Sequence, residues 1–271
     1  MTSQHQHAIS DWRSQIVLQS KPKLILWHKF GQNPAVGTSV EDVWPIGGTE
    51  DFDNLDASAR TIDINSTAAD VGQVIRVIGL NASWDTITVD VTLNGTTPVQ
   101  VGDALNWRRI NRAFQVSAKP AATGDVYMVE TGGTYTAGVP DDAALIHGFI
   151  DFPNAINQTE QAAFTVPRGY VGLIYGFNGS IRASGGATRT ASVILAVSDL
   201  ADGATVDSPT WAPLRQIEHL ALSTAADIAG SREEQTPLRV GELSVIRARA
   251  AATATSIIDA NFELLLVPME D

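Results

Sequence analysis

"VTLNGTTPVQVGDALNWRRINR", Val91 to Arg112, sets the character of the whole chain. Apolar and polar residues alternate through Val91, Thr92, Leu93 and Asn94, the two-residue period of a strand. Asn94-Gly95 then offers the residue pair that a tight turn with positive φ accepts most readily, a strong hairpin or turn signal. A small polar loop follows, and Arg108, Arg109 and Arg112 crowd three arginines into five residues. Strict alternation sends Arg108, Ile110 and Arg112 to one face and Trp107, Arg109 and Asn111 to the other. A cluster split in this way is a poor phosphate or sulfate site. With carboxylates plentiful in the chain, cross-strand ion pairs or a contact between subunits are the expected uses of these arginines.

The same style extends in both directions. Residues 60–66, 73–81, 85–94, 97–101, 109–118 and 125–133 read as short strands, and "AALIHGFIDF" closes the first half as another. "KLILWHKFG" precedes them as a strand rich in aliphatic and aromatic residues. Beyond residue 160, "AAFTVPRGYVGLIYGFNGSIRA", "RTASVILAVSDL", "APLRQIEHLALS", "ELSVIRARAAA" and "IIDANFELLLVP" are strands punctuated by Gly, Pro and Ser. Helical signals are weak. Residues 9–20 could make a short helix capped by Ser10, and "STAADIAGSREE" a turn or two. The expected fold is all-β: two antiparallel, jelly-roll-like β-sandwiches over 35–144 and 145–271, behind an N-terminal arm over 1–34.

Composition bounds the function. Of 271 residues, 44% are hydrophobic and only 18% charged, so a large core is available and much of the surface polarity must come from uncharged side chains. A net charge of −12 argues against nucleic-acid partners, which demand a surplus of Lys and Arg. The charge is uneven: residues 1–30 hold Arg13, Lys21, Lys23 and Lys29 against Asp11 alone. That arm suits docking on an acidic partner, with Trp12 and Trp27 as apolar anchors. Cysteine is absent, which removes disulfides and thiolate metal sites. No apolar run reaches the roughly 18–20 residues of a membrane helix, and the N-terminus lacks a signal-peptide pattern, so the expectation is synthesis in a cytoplasm without membrane contact.

Motifs for chemistry are sparse. "EDFDNLD", Glu50 to Asp56, fails as a calcium loop because Leu55 falls where a ligand is needed. The histidines are His5, His7, His28, His147 and His219, at no metal-ligand spacing beyond the weak pair in the terminal tail. No nucleophile-elbow, zincin or P-loop motif occurs. The six tryptophans (Trp12, Trp27, Trp44, Trp84, Trp107 and Trp211) could form a sugar platform, although core or interface anchors are the more usual role. The reading is of a non-enzymatic protein with no cofactor and no metal site.

Several stretches together resemble a known family. They are Asn33–Gly48 ("NPAVGTSVEDVWPIGG"), Ser66–Gly72 ("STAADVG"), Val77–Trp84 ("VIGLNASW"), Val91–Val99, Arg109–Arg112 ("RINR") and Val166–Gly172 ("VPRGYVG"). This set is similar to that of virion structural proteins of tailed bacteriophages, many of them marine, and the likeness spans roughly residues 30–175. It implies a structural particle component, a capsid decoration or a tail- or fibre-associated protein, found in the virion and partnered by other virion proteins. It also implies a homo-oligomer, a trimer by analogy. The interface candidates are Trp12, Arg13, Lys21, Lys23, Trp27 and Lys29 in the arm, with Arg108, Arg109 and Arg112 in the sandwich. The alternative is a glycan-recognising, receptor-binding module of the tail.

Overall fold

The computed structural model describes residues 24–49, 59–103, 105–116, 120–152, 157–182, 189–201, 204, 212–213, 215–224 and 228–269. Trp12, Arg13, Lys21, Lys23 and the helix expected over 9–20 lie outside the described residues. Within them, regular structure consists of strands and one 3-10 turn at Ala143–Leu145, so the fold is all-β as expected.

The chain opens with β1 (Ile25–Val36) and β2 (Glu41–Asp42). It then builds a sandwich from β3 (Ile62–Ser66), β4 (Val71–Asn81), β5 (Thr86–Asn94), β6 (Val99–Gln100), β7 (Trp107–Gln115), β8 (Val126–Glu130), the ribbon β9 (Tyr135–Thr136) and β10 (Val139–Pro140), and β11 (Ile146–Ile150). A linker over 157–162 leads back to β12 (Ala163–Thr165), β13 (Tyr170–Arg182), β14 (Arg189–Ser198), β15 (Arg215–Thr224), β16 (Ile228–Val240), β17 (Val245–Ala252) and β18 (Ser256–Pro268).

Sheet order shows that one sandwich is inserted into the other. β5-β4-β7 packs on β11-β8-β3-β6 around Ile64, Ile75, Val77, Leu93, Trp107, Ile110 and Met128. The base sandwich pairs β1-β18-β13-β16 with β12-β17-β14-β15, and β2 also joins β17. Its core gathers Phe164, Phe177, Val193, Leu195, Phe262 and Leu264. β18 illustrates the cause: Ile258, Ala260, Phe262, Leu264 and Leu266 alternate inward, and all are buried.

This topology moves the expected boundaries. Residues 25–34, assigned to the arm, form most of β1, paired along β18 from Ile25↔Leu266 to Val36↔Ser256. β1 supplies the backbone partners along one edge of β18, whose N–H and C=O groups would otherwise be left unpaired there. At the other boundary, β11 pairs with β8 and therefore belongs to the inserted sandwich, so residues 145–150 stay with the first unit.

Two local expectations also change. The stretch 223–234, read as a possible helical turn, holds the end of β15 and the start of β16, and β16 pairs with β13 from Ile181↔Ile228 to Gly172↔Val240. A full ladder outweighs the small helical preference of Ala and Glu. Asn94-Gly95 does form the tight turn: Gly95 has φ +62°, and the Thr97 N–H donates to the Asn94 carbonyl at 3.2 Å. β6 then pairs with β3. The turn therefore carries the chain from one sheet to the facing one.

Candidate functional site: the seam between the sandwiches

β7 is where the two sandwiches meet, and its geometry departs from simple alternation. Its register against β4 runs Ile78↔Arg112, Gly79↔Ile110, Leu80↔Arg109 and Asn81↔Trp107. Asn111 and Arg108 are thus extra residues, one in each of two β-bulges. A bulge re-aims side chains by breaking the two-residue rhythm. Trp107, Ile110 and Ala113 consequently all enter the core of the inserted sandwich. Between them, Arg109 and Asn111 reach Thr165 of the base sandwich. Gly79 makes this possible, since a Cβ there would lie 2.0 Å from the Arg109 carbonyl oxygen.

The bulges overturn the predicted split of the arginines. Arg108 and Arg109 both cover the Trp84 ring, with guanidinium carbons 5.3 and 5.4 Å from its centroid. Arg112 lies 5.1 Å from the Phe114 centroid and donates to Gln158 Oε1. Arg109 is 1% exposed; its Nε donates to Thr165 Oγ1 at 3.0 Å and its Nη1 to the Arg108 carbonyl at 2.7 Å. These contacts are cation–π interactions and hydrogen bonds to neutral acceptors. A bidentate cross-strand ion pair joins Arg76 to Asp90 at 2.7 Å.

Around Arg109 the seam is closed by amides. The Asn111 side chain donates to the Thr165 carbonyl and accepts from the Thr165 N–H, both at 3.1 Å, imitating a strand partner for β12. Lys29 of β1 is buried and its ammonium donates a hydrogen bond to the Asn111 carbonyl, an oxygen at the bulge. Trp27, the other described arm candidate, is half-buried with its ring 5.0 Å from Phe164. Both residues therefore brace the fold. Trp84, held at φ +68° and 1% exposed, accepts at its carbonyl from the Arg168 N–H at 3.1 Å. The linker completes the joint: Thr159 N–H donates to the Ala113 carbonyl at 2.8 Å, and Ala162 N–H to the Val43 carbonyl at 3.1 Å.

Two further polar knots lie in the sequence motifs. Asp42 is 3% exposed and pairs with Arg249 at 3.1 Å and Arg247 at 3.4 Å, tying β2 to β17. Beside it, Asn33 donates to Glu41 and to the Asp42 carbonyl, and Glu41 accepts from the Gly48 N–H. Asp70 accepts from Ser66 Oγ at 2.6 Å and from the Thr123 and Gly124 amides. Burial raises the Asp70 pKa, but these hydrogen bonds outweigh it and hold the carboxyl below its ordinary value.

Other candidate chemistry is thin. His147, 2% exposed, sits 3.1 Å from Glu130; that hydrogen bond, with help from Arg60, holds the glutamate below its ordinary pKa against the effect of burial. On the outer face of the base sandwich, Ser192 Oγ meets His219 Nε2 at 2.7 Å in an open groove of about 580 Å³, lined also by Thr38, Thr190, Ser223 and Thr253. Ser192 lies within ladders to β15 and β17, which engage the backbone amides an oxyanion hole would use. Among the described residues no group of three His, Asp or Glu is placed to hold a metal. Trp44, Trp84 and Trp107 are buried, and the described tryptophans form no exposed sugar platform.

Sequence reasoning missed Asn111, Thr165 and Trp84 as partners of Arg109, and Asp42 as an ion-pair centre. The signal for Asp42 and Trp84 was their place in the motif stretches, "EDVW" and "GLNASW". Asn111 shares that signal through "RINR", and Thr165 carried none, because its pairing depends on the bulges.

No protein-family model and no curated protein matches the chain. Among solved structures, infectious bursal disease virus VP2 in a subviral particle aligns at 11% identity and a TM-score of 0.12, over 90% of this chain and 81% of that one. A structure of T=1 particles derived from infectious bursal virus gives 13% identity and a TM-score of 0.11, over 91% of this chain and 79% of that one. Scores this low carry no argument about fold or function.

Proposed function

We propose that the chain is a non-enzymatic structural component of a tailed-phage virion, a capsid decoration or a tail- or fibre-associated protein, acting through contacts with other virion proteins and with copies of itself. The motif residues that resemble the phage family carry this reading by the use to which they are put. Asn33, Glu41 and Asp42 lock β1 and β2 to β17. Asp70 knots the loop before β4, Trp84 and Arg109 fill the seam, and Val166 to Gly172 turns the chain beneath it. Hydrogen bonds and ion pairs on this scale tie the two sandwiches together, which suits a subunit of a shell or fibre. A surface with only 18% charged residues in the chain suits burial against protein.

The test is co-purification. Particles banded on a density gradient and washed at about 1 M salt, where exposed charge contacts are screened, should retain the chain at a fixed number of copies per particle. Loss of the chain in the wash, or its recovery only from the soluble lysate, would refute a structural role. A glycan-array signal in a chain lost from washed particles would favour a receptor-binding module.

A further inference from the structure

The linker joining the sandwiches carries a carboxyl group in an unfavourable place. Thr159, Glu160 and Gln161 are 2%, 4% and 2% exposed. The Glu160 carbonyl accepts from the Gln32 N–H of β1 at 3.3 Å, while Thr159 before it bonds to β7 and Ala162, two residues on, to Val43. Charged groups on three elements act electrostatically on the Glu160 carboxyl. Asp151 follows β11 of the inserted sandwich, Asp259 lies on β18 and Arg182 on β13. Arg182 is the compensating cation, but it already donates to Asp259 at 3.1 Å. Asp259 in turn accepts from Gln32 Nε2 at 2.7 Å and Ser180 Oγ at 2.8 Å. On the other strands touching the linker, Lys29 donates to Asn111, Arg112 to Gln158, and Arg247 pairs with Asp42.

We propose that Glu160 is a proton-dependent latch of the seam: its neutral carboxyl lets the linker lie between the sandwiches, and its ionised form loosens the linker from β1 and β7. A buried carboxylate repelled by two others across the joint has Arg182, shared with Asp259, to offset it. Burial first, then Asp151 and Asp259, push the Glu160 pKa up to about 7 from 4.5, against the pull of Arg182. The seated linker therefore holds a proton that the opened linker releases. Its stabilisation is complete below about pH 4.5, declines as pH rises, and levels off above about pH 7. Acidification tightens the seam.

Hydrogen exchange of the full chain, corrected for intrinsic rates, reads this directly at the amides of Gln32, Ala113 and Thr159. Their protection should fall about 30-fold between about pH 5.5 and about pH 8.5, most of it before pH 7, as a single raised carboxyl requires. Glu160→Gln should abolish the fall while keeping the acid-side protection. Asp151→Asn, which removes one repelling charge and leaves the carboxyl, should move the plateau to lower pH and shrink the fall. Flat protection in the wild type, an unchanged fall in Glu160→Gln, or, should that variant not fold, an unchanged profile in Asp151→Asn would each overturn the proposal.

Discussion

Replacing Arg109 with alanine is the sharpest probe of the seam. The change deletes a charged donor from Thr165 Oγ1 and a cation from the Trp84 face. A hydrogen bond from a charged group contributes about 1.5–3 kcal/mol, and a desolvated cation–π contact about 0.5–2 kcal/mol. Relief of the buried charge offsets part of the sum, leaving an expected loss of about 2–4 kcal/mol. Arg108 and Arg112 are only half-buried, so their alanine variants should lose about 1 kcal/mol or less. Urea unfolding followed by tryptophan fluorescence is a suitable assay, because Trp84 and Trp107 flank the site. Added salt should leave the loss unchanged, since the contacts are buried and screening acts on exposed charge. An Arg109→Ala variant within about 0.5 kcal/mol of wild type would refute the brace, the usual range of surface substitutions. So would salt-sensitive binding of nucleic acid or sulfated glycan that vanishes in the same variant, because the arginines would then form a ligand site.

Other changes follow from the same contacts. Asp42→Asn strands Arg247 and Arg249 without their buried counter-charge and should cost about 3–5 kcal/mol in denaturant titrations; a loss under about 1 kcal/mol would show the pair to be solvated. Gly95→Val forces a β-branched residue to φ +62° and should lower stability by about 1 kcal/mol or more, leaving partner binding intact. An unchanged melting temperature would argue against the turn. Excising the inserted sandwich, with Thr49 joined to Asn157 by a short Gly/Ser linker, should leave a cooperatively folding base sandwich, because Val43 and Ala162 are already hydrogen-bonded neighbours. A chain without a cooperative transition would show that the base depends on its insert.

Much of the fold was legible because strands announce themselves by period. Val91 to Asn94, the inward even residues of β18 and the Asn94-Gly95 turn were all readable from local chemistry. Partner choice was not. Which strand β1 would join depends on a backbone edge contributed more than two hundred residues later, and the alternation of "KLILWHKF" is equally compatible with an arm that docks elsewhere. The arginines show the same limit on a smaller scale. Their alternation was read as that of an ideal strand, but two bulges, admitted by a glycine on the neighbouring strand, brought Arg108 and Arg109 together over Trp84. Glu160 gave no sign of its burial, because a glutamate between Thr and Gln in a polar stretch looks like any solvated linker residue.

Cryo-electron microscopy of the intact particle tests the central proposal most directly. The account predicts repeated density for the two-sandwich body at symmetry-related positions, with each copy touching its neighbours and with the seam of Trp84, Arg109 and Thr165 enclosed within each subunit. Particles whose repeated density is fully accounted for by other chains would contradict it, as would a seam that opens outward onto a bound ligand.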